Sequence, residues 1–239
     1  MTGDRLTLGV VTPHRAAGPE VELPAISGGR VRTVVHRTGP SLRASTETDA
    51  LDLAATAFAA ETLDVVAHAS TSTGYVIGHA AESELAERLA DRCGVPAVTS
   101  CAAAAAALRA YAVERLQVVH PPWFDDELDD LGADYFRDAG LDVVVTRATT
   151  LPHDPAQVRT HHVTAWVGEH VVNGVEAIYL GGNGFRAAAA VEAMERQTGR
   201  LVLQANQALL WAAITATGTE WHLAGQGRLL GRGSRAPRT

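Results

Sequence analysis

One arrangement of residues occurs twice in this chain, once in each half, and it restricts the fold more than any other feature. Asp64-Val65-Val66-Ala67-His68-Ala69-Ser70 is an apolar run that enters a small-residue turn, and Glu176-Ala177-Ile178-Tyr179-Leu180-Gly181-Gly182 repeats that form. Each is followed by a helical stretch, a glycine and a short strand, Ala97–Thr99 or Val202–Leu203. An alanine-containing helix then closes each unit, Ser100–Tyr111 in the first and Asn206–Thr215 in the second. Strands that alternate with helices build parallel sheets covered on both faces. Repetition of the unit reads as an internal duplication. The expectation is an α/β chain of two related lobes, 1–114 and 115–210, with a closing segment, 211–239. The Ser70 and Gly182 turns then sit on opposing walls of a shared cleft.

The remaining segments fit this alternation. Leu6–Thr12 is an apolar run stopped by Pro13 and reads as a central strand. A loop with Gly18, Pro19 and Pro24 is expected next, followed by a strand at Arg30–Arg37 and an amphipathic helix at Thr46–Glu61 that uses Leu51, Leu53, Ala54 and Phe58. Tyr75–Cys93 reads as one helix. In the second half, strands are expected at Leu116–His120 and Val143–Thr146, a helix at Phe124–Ala139 stopped by Gly140, and another starting near His161.

Composition narrows the function classes. Of 239 residues, 46% are hydrophobic, enough for a substantial core, while 20 Lys+Arg against 27 Asp+Glu give a net charge of -7 and no footprint for nucleic acid. Arg228, Arg232, Arg235 and Arg238 make only the tail locally basic. The first residues lack a signal-peptide pattern, and the alanine run that ends near Arg109 is too short to span a bilayer. A cytoplasmic protein is expected, with no membrane partner. The two cysteines, Cys93 and Cys101, are not a CxxC pair, so neither a disulfide framework nor a zinc site is expected. No Walker loop, GxGxxG or HExxH sequence occurs, and no metal or organic cofactor is expected.

Chemistry is expected at the strand ends, where α/β proteins gather function. Ser70-Thr71-Ser72-Thr73 places four hydroxyls in a row ahead of Gly74-Tyr75, more than helix capping needs. Hydroxyls and free N–H groups there suit a carboxylate. Gly181-Gly182-Asn183-Gly184 leaves its backbone nearly bare, with Asn183 able to donate and accept hydrogen bonds. Arg186 is placed in the first turn of the next helix, reaching a ligand or bridging the lobes. His14 and His120 end strands, and a neutral imidazole serves as general acid or base near pH 7. His68, inside its strand, reads as a core group, and His161 and His162 as structural or surface groups.

Taken together in this order, Gly9-Val10-Val11-Thr12-Pro13, Ala69-Ser70-Thr71-Ser72 with Gly78, Val119–Trp123 and Leu180-Gly181-Gly182-Asn183-Gly184-Phe185-Arg186 resemble the aspartate/glutamate racemase superfamily, in its maleate isomerase and arylmalonate decarboxylase branch. The resemblance implies two pseudo-symmetric Rossmann-like lobes around an interlobe cleft, a closing segment that brings Trp221 back to the first lobe, and a possible homo-oligomer. It also implies paired cysteines for the racemases and isomerases, and the second cysteine alone for the decarboxylase. This chain has Ser70 and Gly182 at those positions, and Trp123 where the family has a tyrosine. Serine without an activating base holds its proton too tightly to replace a thiolate. The expected function is a cofactor-independent lyase, decarboxylase or isomerase for a small carboxylate. His120, His14 and Asn183 are the catalytic candidates; Pro13, Ser70, Thr71, Ser72, Tyr75, Trp123, Gly182, Gly184 and Arg186 are the substrate-binding candidates. A non-catalytic anion-binding or regulatory protein, and a hydrolase with a His-activated water, are the alternatives.

Overall fold

The computed structural model describes residues 5–231; Arg232, Arg235 and Arg238 of the basic tail lie outside the described residues. In chain order the first lobe comprises β1 (Leu6–Thr12), α1 (Pro19–Ile26), β2 (Val31–Arg37), α2 (Thr48–Phe58), β3 (Val65–His68), α3 (Thr71–Ile77), α4 (His79–Cys93), β4 (Ala97–Thr99) and α5 (Ser100–Ala110). The second comprises β5 (Arg115–His120), α6 (Asp126–Asp138), β6 (Asp142–Ala148), α7 (Thr160–His170), β7 (Ala177–Leu180), α8 (Val191–Thr198) and β8 (Leu201–Gln204). Helices α9 (Ala205–Ala216) and α10 (Gly227–Gly231) complete the described chain.

Each sheet has four parallel strands, in the orders β2-β1-β3-β4 and β6-β5-β7-β8. The second order is the first repeated, so the duplicated sequence pattern is a duplicated topology. The central strands are mostly apolar because both faces are covered: β3 and β7 are buried at every position. The edge strands β2 and β6 carry partly exposed residues instead. Matching glycines, Gly94 and Gly199, end α4 and α8 in the left-handed conformation before β4 and β8.

The inner faces of the sheets share one core. Val10 and Ala67 from the first sheet, Val118 and Tyr179 from the second, and Leu209, Leu210 and Ile214 of α9 belong to the same buried cluster. Small side chains on α5, among them Ala104 and Ala107, let it lie close against α9. Separate clusters cover the outer faces: Leu51, Phe58, Leu85 and Leu89 on the first sheet, and Val163, Val167, Val191 and Met194 on the second. After α9, Trp221 lies under the Arg30 guanidinium, 5.5 Å away, while α10 packs on α8 and β8.

Four local expectations are corrected. The segment with Pro19 and Pro24 is helix α1, not a loop. Pro19 occupies the helix start, where its missing N–H has no intrahelical partner to lose. Tyr75–Cys93 is not one helix: α3 begins at Thr71 and a break at Gly78, with φ 84° and ψ 165°, separates it from α4. After β7 the chain makes a turn and a short 3-10 segment, Ala188–Ala190, before α8. Arg186 therefore lies in the connection and not in a helix. Leu53, expected on the apolar face of α2, is 63% exposed.

Candidate active site between the lobes

A cavity of about 260 Å³ lies where the strand ends of the two lobes meet. The first lobe contributes His14, Arg15 and Ala16 from the loop after β1, and Ser72 from the first turn of α3. The second contributes Trp123 and Phe124 after β5, His153 and Pro155 after β6, and Gly182, Asn183 and Gly184 after β7. The first lobe's side carries an imidazole, a guanidinium and a hydroxyl, while the second lobe's side sets the rings of Trp123 and Phe124 beside His153 and Asn183. A wider surface groove of about 570 Å³ between α8 and α10 lies away from these strand ends. Its arginines are paired, Arg196 with Glu192 and Arg228 with Glu195.

Of the residues singled out in the sequence, His14, Ser72, Trp123, Gly182, Asn183 and Gly184 meet at the cavity. Pro13, Ser70, Thr71, Tyr75, His120 and Arg186 lie outside its lining, and for most of them the reason is a bond made elsewhere. Ser70 caps α3, its Oγ accepting from the Thr73 amide at 3.2 Å. Thr71 joins the two repeated turns. Its Oγ1 accepts from the Gly182 amide at 3.0 Å, while its own amide and hydroxyl donate to Asn183 Oδ1 at 2.9 and 3.1 Å. Arg186 donates through Nε and Nη2 to the Ala17 carbonyl at 3.0 and 2.6 Å. It ties the second lobe to the loop that carries His14.

His120, expected to face the cleft, is fully buried behind it. Its Nε2 is 2.9 Å from the Tyr75 hydroxyl, and its Nδ1 is bonded to Asp129. Asp129 accepts a second hydrogen bond from the Ala148 amide at 2.9 Å. With a carboxylate as acceptor, the proton belongs on Nδ1 and Nε2 accepts from tyrosine. Burial holds the imidazole below its ordinary pKa, opposed by Asp129. Tyr75 is packed among Phe124, Tyr135 and Phe136, and burial raises its phenol well above the usual range.

Asn183 lines the cavity, and its side chain is tied into the protein on both its oxygen and its nitrogen. Besides the Thr71 groups, Oδ1 accepts from Ser100 Oγ at 3.0 Å, and Nδ2 donates to Asn206 Oδ1 at 2.8 Å. Its oxygen is thus committed to the protein's own groups, and one hydrogen of its Nδ2 is held by Asn206. Its neighbour Gly182 has φ 88°, and an added Cβ would stand 2.9 Å from Pro121 Cγ. Glycine is required there by both backbone conformation and space.

His14 is the histidine from the candidate pair that does reach the cavity. Burial is the main cause that lowers its pKa; Arg37 adds to this and Glu20 opposes it. Arg37 also donates to the His14 carbonyl at 3.0 Å and pairs with Glu20, which fastens the loop from the edge of the first sheet. Behind His14, His68 is buried and pushed down to about 4, chiefly by desolvation. Neither cysteine approaches. Cys101 is buried with its Sγ donating to the Thr71 carbonyl at 3.4 Å, and burial raises its pKa well above normal. Cys93 ends α4 at a surface depression with Phe58 and Arg92.

Sequence reasoning missed Arg15, Phe124, His153 and Pro155, which lie in connections without a repeated pattern. It also missed Glu22, Ser100, Asp129 and Asn206, whose partners are remote in sequence. Among the described residues no three His, Cys, Asp or Glu side chains are grouped as metal ligands, and no helix is long and apolar enough to cross a membrane.

Residues 45–230 match the sequence profile of arylmalonate decarboxylase. The chain belongs to the arylmalonate decarboxylase family. Solved structures agree in fold over nearly the whole length. The maleate isomerase Iso from Pseudomonas putida S16 is 24% identical, with a TM-score of 0.85 over 95% of this chain and 98% of that one. A maleate cis-trans isomerase from Nocardia farcinica is 22% identical, with a TM-score of 0.81 over 95% and 98%. An unliganded arylmalonate decarboxylase is 20% identical, with a TM-score of 0.82 over 95% and 99%. No protein of curated function matches the sequence. The described lining of the cavity in this chain holds no thiol.

Proposed function

We propose that the chain is a cofactor-independent lyase, decarboxylase or isomerase for a small carboxylate bound in the interlobe cavity, with His14 as the proton-carrying group. The observation that carries this reading is the juxtaposition of an imidazole disposed to stay neutral with donors and apolar surface in one cavity. Arg15 and Ser72 are the cavity's candidates to hold the carboxylate. Phe124, which is buried, with Trp123 and Pro155 beside it, lines the opposite side with apolar surface, which favours those charge-assisted bonds. In an isomerisation that inverts a saturated carbon, neutral His14 takes the proton from the carbon next to the carboxylate. The electron pair left behind spreads into the carboxylate as an enediolate, and the imidazolium returns the proton to that carbon. In an elimination the same pair closes a carbon–carbon double bond and expels a leaving group from the adjacent carbon, which departs with the imidazolium's proton. In a decarboxylation the departing CO₂ leaves that pair behind, and the proton comes from protonated His14 or from water.

A second reading, a binding protein that has kept the cavity, is favoured by one observation. Both cysteines lie elsewhere, and two residues expected from the sequence to be catalytic, His120 and Asn183, make bonds to the protein's own groups. Calorimetry with maleate and phenylmalonate, joined to proton NMR in D₂O, separates the two. The enzyme reading expects binding together with carbon–hydrogen exchange or loss of CO₂. His14→Gln should then lower kcat about 10²–10⁴-fold, the range for losing a general acid or base, while Cys93→Ala with Cys101→Ala leaves it near wild type. Binding without any chemistry selects the binding protein. Absence of binding by either probe argues against both.

A further inference from the structure

Glu22 is a carboxylate without an obvious reason to be buried. It projects from α1, is 7% exposed, and belongs to neither the cavity lining nor a direct ion pair. Its Oε1 accepts from the Ala188 amide at 2.9 Å and its Oε2 from Asn206 Nδ2 at 2.7 Å. The same Asn206 Nδ2 donates to the Asn183 carbonyl at 3.0 Å, and Asn206 Oδ1 accepts from Asn183 Nδ2 at 2.8 Å. Asn183 Oδ1 in turn receives Thr71 and Ser100. One chain of side chains thus runs from α1, through the start of α9, to the cavity wall and on to the first turns of α3 and α5.

We propose that Glu22 is a positioning residue for the cavity: its carboxylate sets the orientation of Asn206, which sets Asn183 and with it the Gly182–Gly184 turn against Thr71. The inference deepens the reading of the interlobe cavity as the functional site and rests on it. An ionised carboxylate only accepts, so it demands the NH₂ side of Asn206. That choice leaves the Asn206 oxygen for the NH₂ of Asn183, and leaves the Asn183 oxygen for the donors of the first lobe. Every amide in the chain is polarised in one direction by the acceptor at its end.

The groups facing Glu22 are Asn206 from α9, Gln204 at the end of β8, and the Ala188 amide and Arg186 from the connection after β7. All but Arg186 are uncharged. Burial outweighs these donors and pushes the carboxyl up to about 7. Ionised Glu22 therefore costs folding stability while it orders the turn, and the two effects have opposite signs on substitution. A residue that merely filled space would lower both together.

The test is Glu22→Gln, followed by residue-resolved amide exchange at pH 8, thermal unfolding and calorimetry with phenylmalonate. The Thr71 and Gly182 amides report directly, since each is bonded within the chain or beside it. Their protection should fall about tenfold in the variant, the equivalent of one hydrogen bond, while amides of β5 stay as they were. The melting temperature should be unchanged or higher, and phenylmalonate should bind more weakly. In the wild type alone, the same two amides should lose protection as pH drops through 7. Unchanged protection at Thr71 and Gly182 overturns the proposal, as does a lower melting temperature with faster exchange throughout. If the two amides respond but wild type has no affinity for phenylmalonate, the positioning role stands and the ligand reading loses its support.

Discussion

His68 shows how a residue at a strand end is removed from chemistry. It shares the strand-end setting with His14, one strand away, since Val11 of β1 is in register with His68 of β3. His14 lies past the strand and reaches the cavity, whereas His68 is still inside the sheet, with Nε2 3.4 Å from Ser45 Oγ. Its folded pKa of about 4 lies below the ordinary value of 6.5. The stabilising contribution is therefore present above pH 6.5 and is lost as pH falls toward 4. The loss is on the order of 3 kcal/mol at the acid end, since each tenfold difference in proton affinity between the folded and unfolded chain is worth about 1.4 kcal/mol. Urea unfolding of wild type and His68→Gln at several pH values checks this. The difference between the two proteins should shrink or change sign below about pH 6. Comparing them cancels Glu22 and Glu82, whose raised pKa values act in the opposite sense. A pH-independent difference would mean that His68 is not held neutral by burial.

At the scale of elements, the break at Gly78 matters most. α3 carries Ser72 to the cavity, and α4 runs on from it toward the outer face of the sheet, so the two cannot share an axis. Gly78 turns the chain between them at φ 84° and ψ 165°, a region that essentially only glycine visits. Gly78→Ala should cost roughly 1–3 kcal/mol of stability, read as a lower denaturant midpoint with an unchanged slope. An unperturbed midpoint would show that the chain can turn there without the special backbone. Such features explain which elements are legible in the sequence. The apolar runs of β1, β3, β5 and β7 announce themselves because strands covered on both faces are built mainly from apolar side chains. α1 is hidden by Pro19 and Pro24, since composition alone does not say that the first falls at a helix start and the second inside the same short helix. The segment after β7 reads as helix in the sequence because its glycines signal a turn without revealing the irregular connection beyond it.

For the molecule as a whole, the duplicated pattern is sufficient to give two parallel sheets and to bring the Ser70 and Gly182 turns together. The cavity is only half legible. Ser72 and Gly182–Gly184 belong to the repeat, whereas His120 and Arg186 are drawn to partners that only the assembled lobes supply: Tyr75 on α3 and the Ala17 carbonyl. A core that includes Val10 and Ala67 as well as Val118 and Tyr179 is not divisible into two hydrophobic units. The lobes should therefore unfold together, in one denaturant transition seen alike by far-UV circular dichroism and by tryptophan fluorescence. The fluorescence includes Trp123 and Trp166 of the second lobe, so two separated midpoints would show that the lobes are independent.

The crowding around Gly182 has a bearing on descent and on design. A lineage or a protein engineer seeking to place a sulfur nucleophile at this position would have to move Pro121 and relax a backbone that no L side chain favours, so a single codon change does not lead there. Two residues on, Gly184 also borders the cavity, and a Cβ there would meet nothing nearer than Trp123, at 3.9 Å. Gly184→Cys is consequently the less obstructed entrance for thiol chemistry into this scaffold. A route into that chemistry need not pass through the position where the family resemblance would look for it.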